Sequence, residues 1–154
     1  MNKQILKWAL VIVAVAGFVA IAFREGKATP EGVWLTDYPA ALRIAKSEKK
    51  PVLVDLQAEW CGPCHMMTDD VFKKPTFQEQ SGRWVLLKID VDQQPDIAAK
   101  FGSNSLPTLV VLNADGKPVL GTQGYRDPAS TMNFLERAFQ KATNPAGSVS
   151  QPLN

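Results

Sequence analysis

Two cysteines and a single histidine are all the chain offers for thiol, imidazole or soft-metal chemistry in 154 residues. Two cysteines are too few for a disulfide scaffold but enough for one redox couple. With one histidine, no second imidazole is left for a Ser-His-Asp site, and no glycine-rich phosphate loop is present. Zinc would find Cys61, Cys64 and His65 but no fourth ligand at a usual spacing. Charge is also scarce. The net charge is +2, and the aromatic residues are not interleaved with a basic stripe, so nucleic acid is not an expected partner. The chain shows no internal repeat. Its length suffices for one domain with a sound core and not for two.

What is there is concentrated. Asp55-Leu56-Gln57-Ala58-Glu59-Trp60-Cys61-Gly62-Pro63-Cys64-His65 holds both cysteines, the histidine and an acid inside an apolar run. Pro51 to Leu56 has the continuous apolar character of a strand covered on both faces. The residues after the cysteines have helical spacing, and Pro63 is tolerated in a first helical turn. A Cys-x-x-Cys at a strand-to-helix step places Cys61 at a helix N-terminus. Unpaired N–H groups and the helix dipole favour the reactive thiolate there. Cys64, Met67 and Val71 share a helical face, so Cys64 is expected to point inward and to be less accessible than Cys61. Cys61 would then attack a partner disulfide and Cys64 would resolve the mixed disulfide. Met66 and Met67 read as packing. Asp55, continuing the strand, is expected to be desolvated, with its pKa raised and the capacity to move protons; the alternative is an Asp at a strand end facing water.

Along the rest of the chain, Lys3 and Lys7 precede an uncharged run from Trp8 to Phe23 that Arg24 ends. As a helix this run is about 24 Å long, somewhat short of a ~30 Å hydrocarbon core, and Ile5 and Leu6 bring it close to spanning. Residues 1–27 are therefore expected to be an uncleaved membrane anchor. A signal peptide cut near Ala20-Ile21-Ala22 is the alternative. Either carries the remainder across a membrane, in a bacterium into the periplasm, where disulfides persist. Residues 28–32 form a linker. Val33 to Leu35 suggests a short edge strand. Thr36 or Asp37 caps a helix with Tyr38, Ala41, Leu42 and Ala45 inside, which ends at Lys46, Lys49 and Lys50, a solvated basic end. Lys73-Lys74-Pro75 breaks the redox helix, and Thr76 to Gln80 adds a turn. Trp84 to Val91 is a strand. Gln94-Pro95-Asp96 opens a helix that Gly102 ends, and Thr108 to Leu112 is a buried strand. Asn113 to Gly116 turns the chain into a hairpin strand from Pro118 to Thr122. Asp127-Pro128 caps a last helix with Met132, Leu135, Phe139 and Ala142 inside. Residues 143–154 have the composition of a disordered tail. This order predicts an α/β fold: a mixed sheet with helices on both faces, a final antiparallel hairpin, and parallel strands joined by helical crossovers.

Leu53-Val54-Asp55 through Trp60-Cys61-Gly62-Pro63-Cys64, then Lys88-Ile89-Asp90-Val91-Asp92, Leu106-Pro107-Thr108 and Gly124, resemble the thioredoxin family in order and spacing over Val33 to Ala142. Asn113 to Gly116, Gly124 to Asp127 and the long Met66 to Phe77 segment are also similar to the C-terminal domain of DsbD-type membrane disulfide reductases. The resemblance implies a thioredoxin fold with a four- to five-stranded sheet over residues 33–142. It implies Asp55 as proton acceptor for Cys64 and a cis Pro107 beside the disulfide. It further implies a Leu106 backbone that pairs with an extended substrate, and a Trp60 that shields the site with Gly62 and Pro63. His65 and Gln57 depart from the usual pattern. The implied activity is protein-disulfide reduction with no cofactor beyond the Cys61–Cys64 couple. Oxidised exported proteins would be the substrates, apocytochromes in cytochrome c maturation among them. A membrane disulfide reductase would be the electron donor, and a monomer is expected. Two other functions compete: c-type haem attachment through Cys61-x-x-Cys64-His65, with Met66, Met67 or Met132 opposite the histidine, and a non-catalytic binding module or chaperone.

Overall fold

The computed structural model describes residues 32–102 and 104–144. The expectations for residues 1–27, for the linker up to residue 31 and for the tail from residue 145 lie outside the described residues. Five strands form one sheet: β1 (Trp34–Leu35), β2 (Val52–Gln57), β3 (Val85–Asp90), β4 (Thr108–Leu112) and β5 (Pro118–Gln123), in the order β1-β3-β2-β4-β5. Among the described residues five helices accompany them: α1 (Tyr38–Glu48), α2 (Gly62–Met67), α3 (Pro75–Ser81), α4 (Pro95–Ala99) and α5 (Pro128–Thr143). The sheet and its helices are the thioredoxin fold.

Alternation along the strands sorts the core into two layers, because successive side chains point to opposite faces. Leu53, Leu86, Leu109 and Val111 pack with Met67, Val71, Phe77, Phe134 and Leu135. On the other face Val52, Val54, Leu56, Leu87, Ile89 and Leu112 pack with Ala41, Ala45 and Ala98. The continuous apolar run of β2 follows from its central place: β3 on one side, β4 on the other, helices above and below. The capping expectation for α1 resolves to Asp37, which accepts from the Ala40 N–H at 2.9 Å. Lys49, just past that helix, takes the left-handed conformation at φ 54°.

Three expectations need correction. First, not every helical connection returns a parallel strand. β1 and β2 run parallel to β3, but β4 runs antiparallel to β2. The five residues of α4 cover about 8 Å, against about 20 Å for a six-residue strand. That helix does not carry the chain back across the sheet, so β4 starts at the edge where β3 ended. Second, α2 does not continue as a regular helix to the lysines. Thr68–Phe72 is a π-helical turn, and α3 follows from Pro75. Third, the inner face of α5 is Thr131, Phe134, Leu135 and Ala138, while Met132, Phe139 and Ala142 pack at its margin. The stripe is rotated toward Thr131, a residue that hydropathy alone excludes. Its hydroxyl donates to the Arg126 carbonyl at 3.2 Å. Thr143, placed in the tail by composition, closes α5.

Candidate active site

β2 delivers the chain to the site edge, Ala58 is buried just beyond it, and Cys61 caps α2. The cap geometry is sulfur-based. The Cys64 N–H donates to Cys61 Sγ at 3.2 Å, and the His65 N–H donates to the Cys61 carbonyl at 3.2 Å. Pro63 sits in the first turn, where no N–H is needed. Cys61 and Cys64 are joined in a disulfide, with Cα atoms 5.3 Å apart. The expected difference in accessibility is absent in this oxidised state: Cys61 is 4% exposed and Cys64 3%. Once closed, the ring packs as a unit against Ala58, Val91 and Leu106. The asymmetry is one of direction, since Cys61 lines the groove outside and Cys64 does not.

Asp55 is 2% exposed, on the sheet face that also carries Leu53 and lies under α2. This overturns the alternative of a strand-end carboxylate in water. Its Oδ1 has no hydrogen-bond partner, and burial pushes its pKa up to about 6. Lys88, its register neighbour on β3, pulls the other way and does not cancel the desolvation. The Lys88 ammonium lies 5.1 Å from the centre of the Trp34 ring.

Because β4 begins at this same edge, it brings Leu106 beside the disulfide, with Pro107 next in the chain. The Leu106–Pro107 peptide bond is cis, as the resemblance implied, and Leu106 packs against the cysteine pair. The Pro107 carbonyl accepts from the Gly124 N–H at 2.7 Å, which ties this loop to the end of β5. Gly124 holds φ 79°, a conformation suited to glycine. Trp60 is 71% exposed, so it is not a core residue. Its indole N–H donates to Asp92 Oδ2 at 2.8 Å, which holds the ring at the rim. Gly62 and Pro63 are exposed on the crest of the helix, and Met66, expected to pack, is 52% exposed beside them. A groove of about 750 Å³ runs between Trp60, Cys61 and Pro63 on one side and Val91, Ala98 and Leu106 on the other.

Sequence reasoning thus named residues that the fold brings together. It did not name Asp92 as the partner of Trp60, or α4 as a wall of the groove. Asp92 is 32 residues from Trp60, and no local pattern in one chain links them. The two arms of the haem motif are committed elsewhere. Both sulfurs are bonded to each other, and His65 Nε2 lies 2.7 Å from the Glu59 carbonyl oxygen.

A cysteine pair that closes across one helical turn, with Cys61 lining an open groove, defines a protein that exchanges disulfides. Residues 33–114 match the thioredoxin-like family model, and the chain belongs to that family. A thioredoxin of Streptomyces clavuligerus is 43% identical over 77 residues, 50% of this chain and 68% of that protein. A thioredoxin of Staphylococcus epidermidis is 36% identical over 97 residues, 60% of this chain and 86% of that protein. Thioredoxin 1 of Chlorobaculum tepidum is 40% identical over 68 residues, and there the match spans 65% of the relative's length. Among solved structures, a thioredoxin from Thermus thermophilus superposes with a TM-score of 0.67 at 24% identity, covering 76% of this chain and 94% of that one. At 19% identity a DsbH oxidoreductase superposes at 0.63, over 75% and 90%, and this likeness speaks to the fold alone. The protein is a thioredoxin-like thiol:disulfide oxidoreductase.

Proposed function

We propose that this protein reduces disulfides of exported proteins. Its place would be the periplasmic side of a bacterial inner membrane, where the apolar N-terminal segment of residues 1–27 holds it. Each turnover consumes the dithiol form. The Cys61 thiolate attacks one sulfur of the partner disulfide, forming a mixed disulfide and releasing the other sulfur as a thiolate. Cys64, giving its proton to Asp55, then attacks Cys61 Sγ. The second partner sulfur leaves as a thiolate and takes up a proton, and the Cys61–Cys64 disulfide remains. The partner gains two electrons and the protein loses two. A membrane disulfide reductase, itself a dithiol, restores the pair. No cofactor beyond the disulfide is required, and a single copy of the chain suffices. Apocytochromes awaiting haem are one class of substrate that this placement would serve.

The observation that carries the reading is the buried Asp55, with Oδ1 unpartnered, on the sheet face beneath the cysteine helix. A carboxyl with a pKa of about 6 accepts and returns a proton near neutral pH, which a resolving thiol needs. The Cys64 N–H aimed at Cys61 Sγ supports the attacking role, because the same donor stabilises a thiolate after reduction. Trp60, Gly62, Pro63, Leu106 and Pro107 shape the face that meets the partner. Direction rests on Gly62-Pro63 between the cysteines, the pattern of reducing thioredoxins.

The test is a redox titration of the full chain in graded glutathione buffers, followed by alkylation and intact mass. A reversible two-thiol couple near about −270 mV supports a reductase. A couple near about −120 mV would reverse the direction, and no exchangeable couple would remove the redox role.

A further inference from the structure

The groove beside the disulfide carries no charge of its own. Trp60, Pro63, Val91, Pro95, Ala98 and Leu106 form most of its surface, and its polar members, Asn104 and Ser105 among them, are neutral. A segment laid in it buries apolar surface and meets no ionic partner inside. The charged residues next to its lining residues in sequence are mostly acidic. Glu59 precedes Trp60, Asp92 follows Val91, and Asp96 follows Pro95, and all three are exposed. Asp92 is fixed in place by the Trp60 indole, a neutral donor that leaves its charge uncancelled.

The basic side chains nearby are turned to other contacts. His65 Nε2 is bonded to the Glu59 carbonyl, on the helix side of the loop. Lys100 Nζ lies 5.3 Å from the centre of the Tyr38 ring, toward α1. Lys88 is beneath the site, over Trp34. An approaching segment therefore meets an apolar slot bordered by carboxylates.

We propose that the groove selects partner segments in which the disulfide cysteine is flanked by an apolar residue and by lysine or arginine. The apolar side chain fills the slot beside Leu106 and Ala98, and the cation meets Glu59 and Asp96. The proposal rests on the reductase reading and names the substrate chemistry that this site prefers. Clefts lined by one sign of charge raise the encounter rate of oppositely charged partners by 10-fold or more, and salt removes the effect.

The experiment uses the full chain carrying Cys64→Ser, which leaves a mixed disulfide on Cys61 unresolved. Three peptides with one disulfide-capped cysteine and one apolar neighbour differ only in flanking Lys, Gln or Glu. The rate of Cys61–peptide formation is followed by intact mass. At low ionic strength the Lys peptide is expected to react about tenfold faster than the Glu peptide. The ratio should fall toward one in about 1 M salt, where the Debye length is ~3 Å. It should also fall toward one when Glu59→Gln and Asp96→Asn are added. Equal rates for the three peptides, or a preference for Glu, would overturn the proposal while leaving the reductase reading intact. A Lys preference that survives both added substitutions would also overturn it. If no peptide reacts while the wild-type pair still equilibrates with glutathione, the groove is not a docking site. If neither occurs, the reductase reading itself fails.

Discussion

Asp55 is where burial and chemistry conflict most sharply. Its carboxyl sits in the core with one oxygen unpartnered, and its pKa is raised from 3.8 to about 6. The folded state thus binds a proton more tightly than the unfolded chain does. Stability linked to this group is full below the unfolded pKa and is lost as pH rises through about 6. Asp55→Asn removes the charge and keeps the shape. In the oxidised protein at pH 7.5 it should raise the unfolding free energy by about 2–3 kcal/mol, and at pH 4 by well under about 1 kcal/mol. Denaturant titrations at both pH values test this, and a pH-independent difference would count against a desolvated carboxylate. If Asp55 takes the Cys64 proton, as proposed, the same substitution should slow release of the mixed disulfide. His65 is a second residue-scale test. Its Nε2 anchors the Glu59 carbonyl, one residue before Trp60. His65→Ala should shift Trp60 fluorescence and the redox potential, while His65→Gln, which keeps an N–H donor at that reach, should restore most of both. The cysteine pair and Asp55 were legible in the sequence because they share one strand–turn–helix step. The Trp60–Asp92 and His65–Glu59 bonds were not, since each depends on a loop path that a linear pattern does not encode.

At the scale of elements, α2, α3 and α5 pack against the sheet face that carries Leu53 and Asp55. Phe77 of α3 packs in one aromatic cluster with Trp34 and Phe72, with ring centroids 6.3 and 5.0 Å away. It is fully buried, and through Trp34 it braces the two-residue strand β1. Phe77→Ala should lower the unfolding free energy by about 3–5 kcal/mol, the cost of an aromatic-sized cavity. Asp127 acts differently: its side chain accepts from the Ser130 N–H at 3.0 Å at the start of α5. Asp127→Ala should cost about 1 kcal/mol, the usual loss of a cap. Chemical unfolding of the two variants side by side tests both magnitudes, and a loss at Phe77 no larger than the loss at the Asp127 cap would count against an aromatic-sized cavity under β1. Elements of this kind were legible because period and cap signals are local. Thr108–Leu112 and the Asp127 cap lie where their residues predict. The π turn at Thr68–Phe72 was not legible, because Thr68-Asp69-Asp70-Val71-Phe72 has helical spacing whichever carbonyl accepts. Its geometry is set from outside: the inward Val71 and Phe72 join the core, and Asp70 accepts from the Tyr125 hydroxyl at 3.0 Å.

For the whole molecule, strand direction decides which end faces what. β1 is parallel to β3, and β3 to β2, so the chain enters β1 at the sheet edge opposite the one where β2 releases Cys61. The two edges are about 20 Å apart along a six-residue strand. The direction of β4 was the part of the topology that hydropathy did not reveal, because a buried strand has the same apolar run in either sense. It is also the part that completes the groove, since an antiparallel β4 starts at the cysteine edge and brings Leu106 there. Gly32, the first described residue, leads into β1 at that far edge. If the N-terminal segment holds the protein on a bilayer, as proposed, the cysteines point away from the lipid and toward partners in the aqueous phase. The full chain, reduced and reconstituted in phosphatidylcholine vesicles, should then react with a membrane-impermeant maleimide at Cys61 as fast as it does in detergent. Cys64→Ser, also reconstituted, confines the label to that thiol. A strong slowing in vesicles, with labelling restored by detergent, would turn the redox face toward the bilayer. A membrane-embedded partner would then be the first substrate to seek.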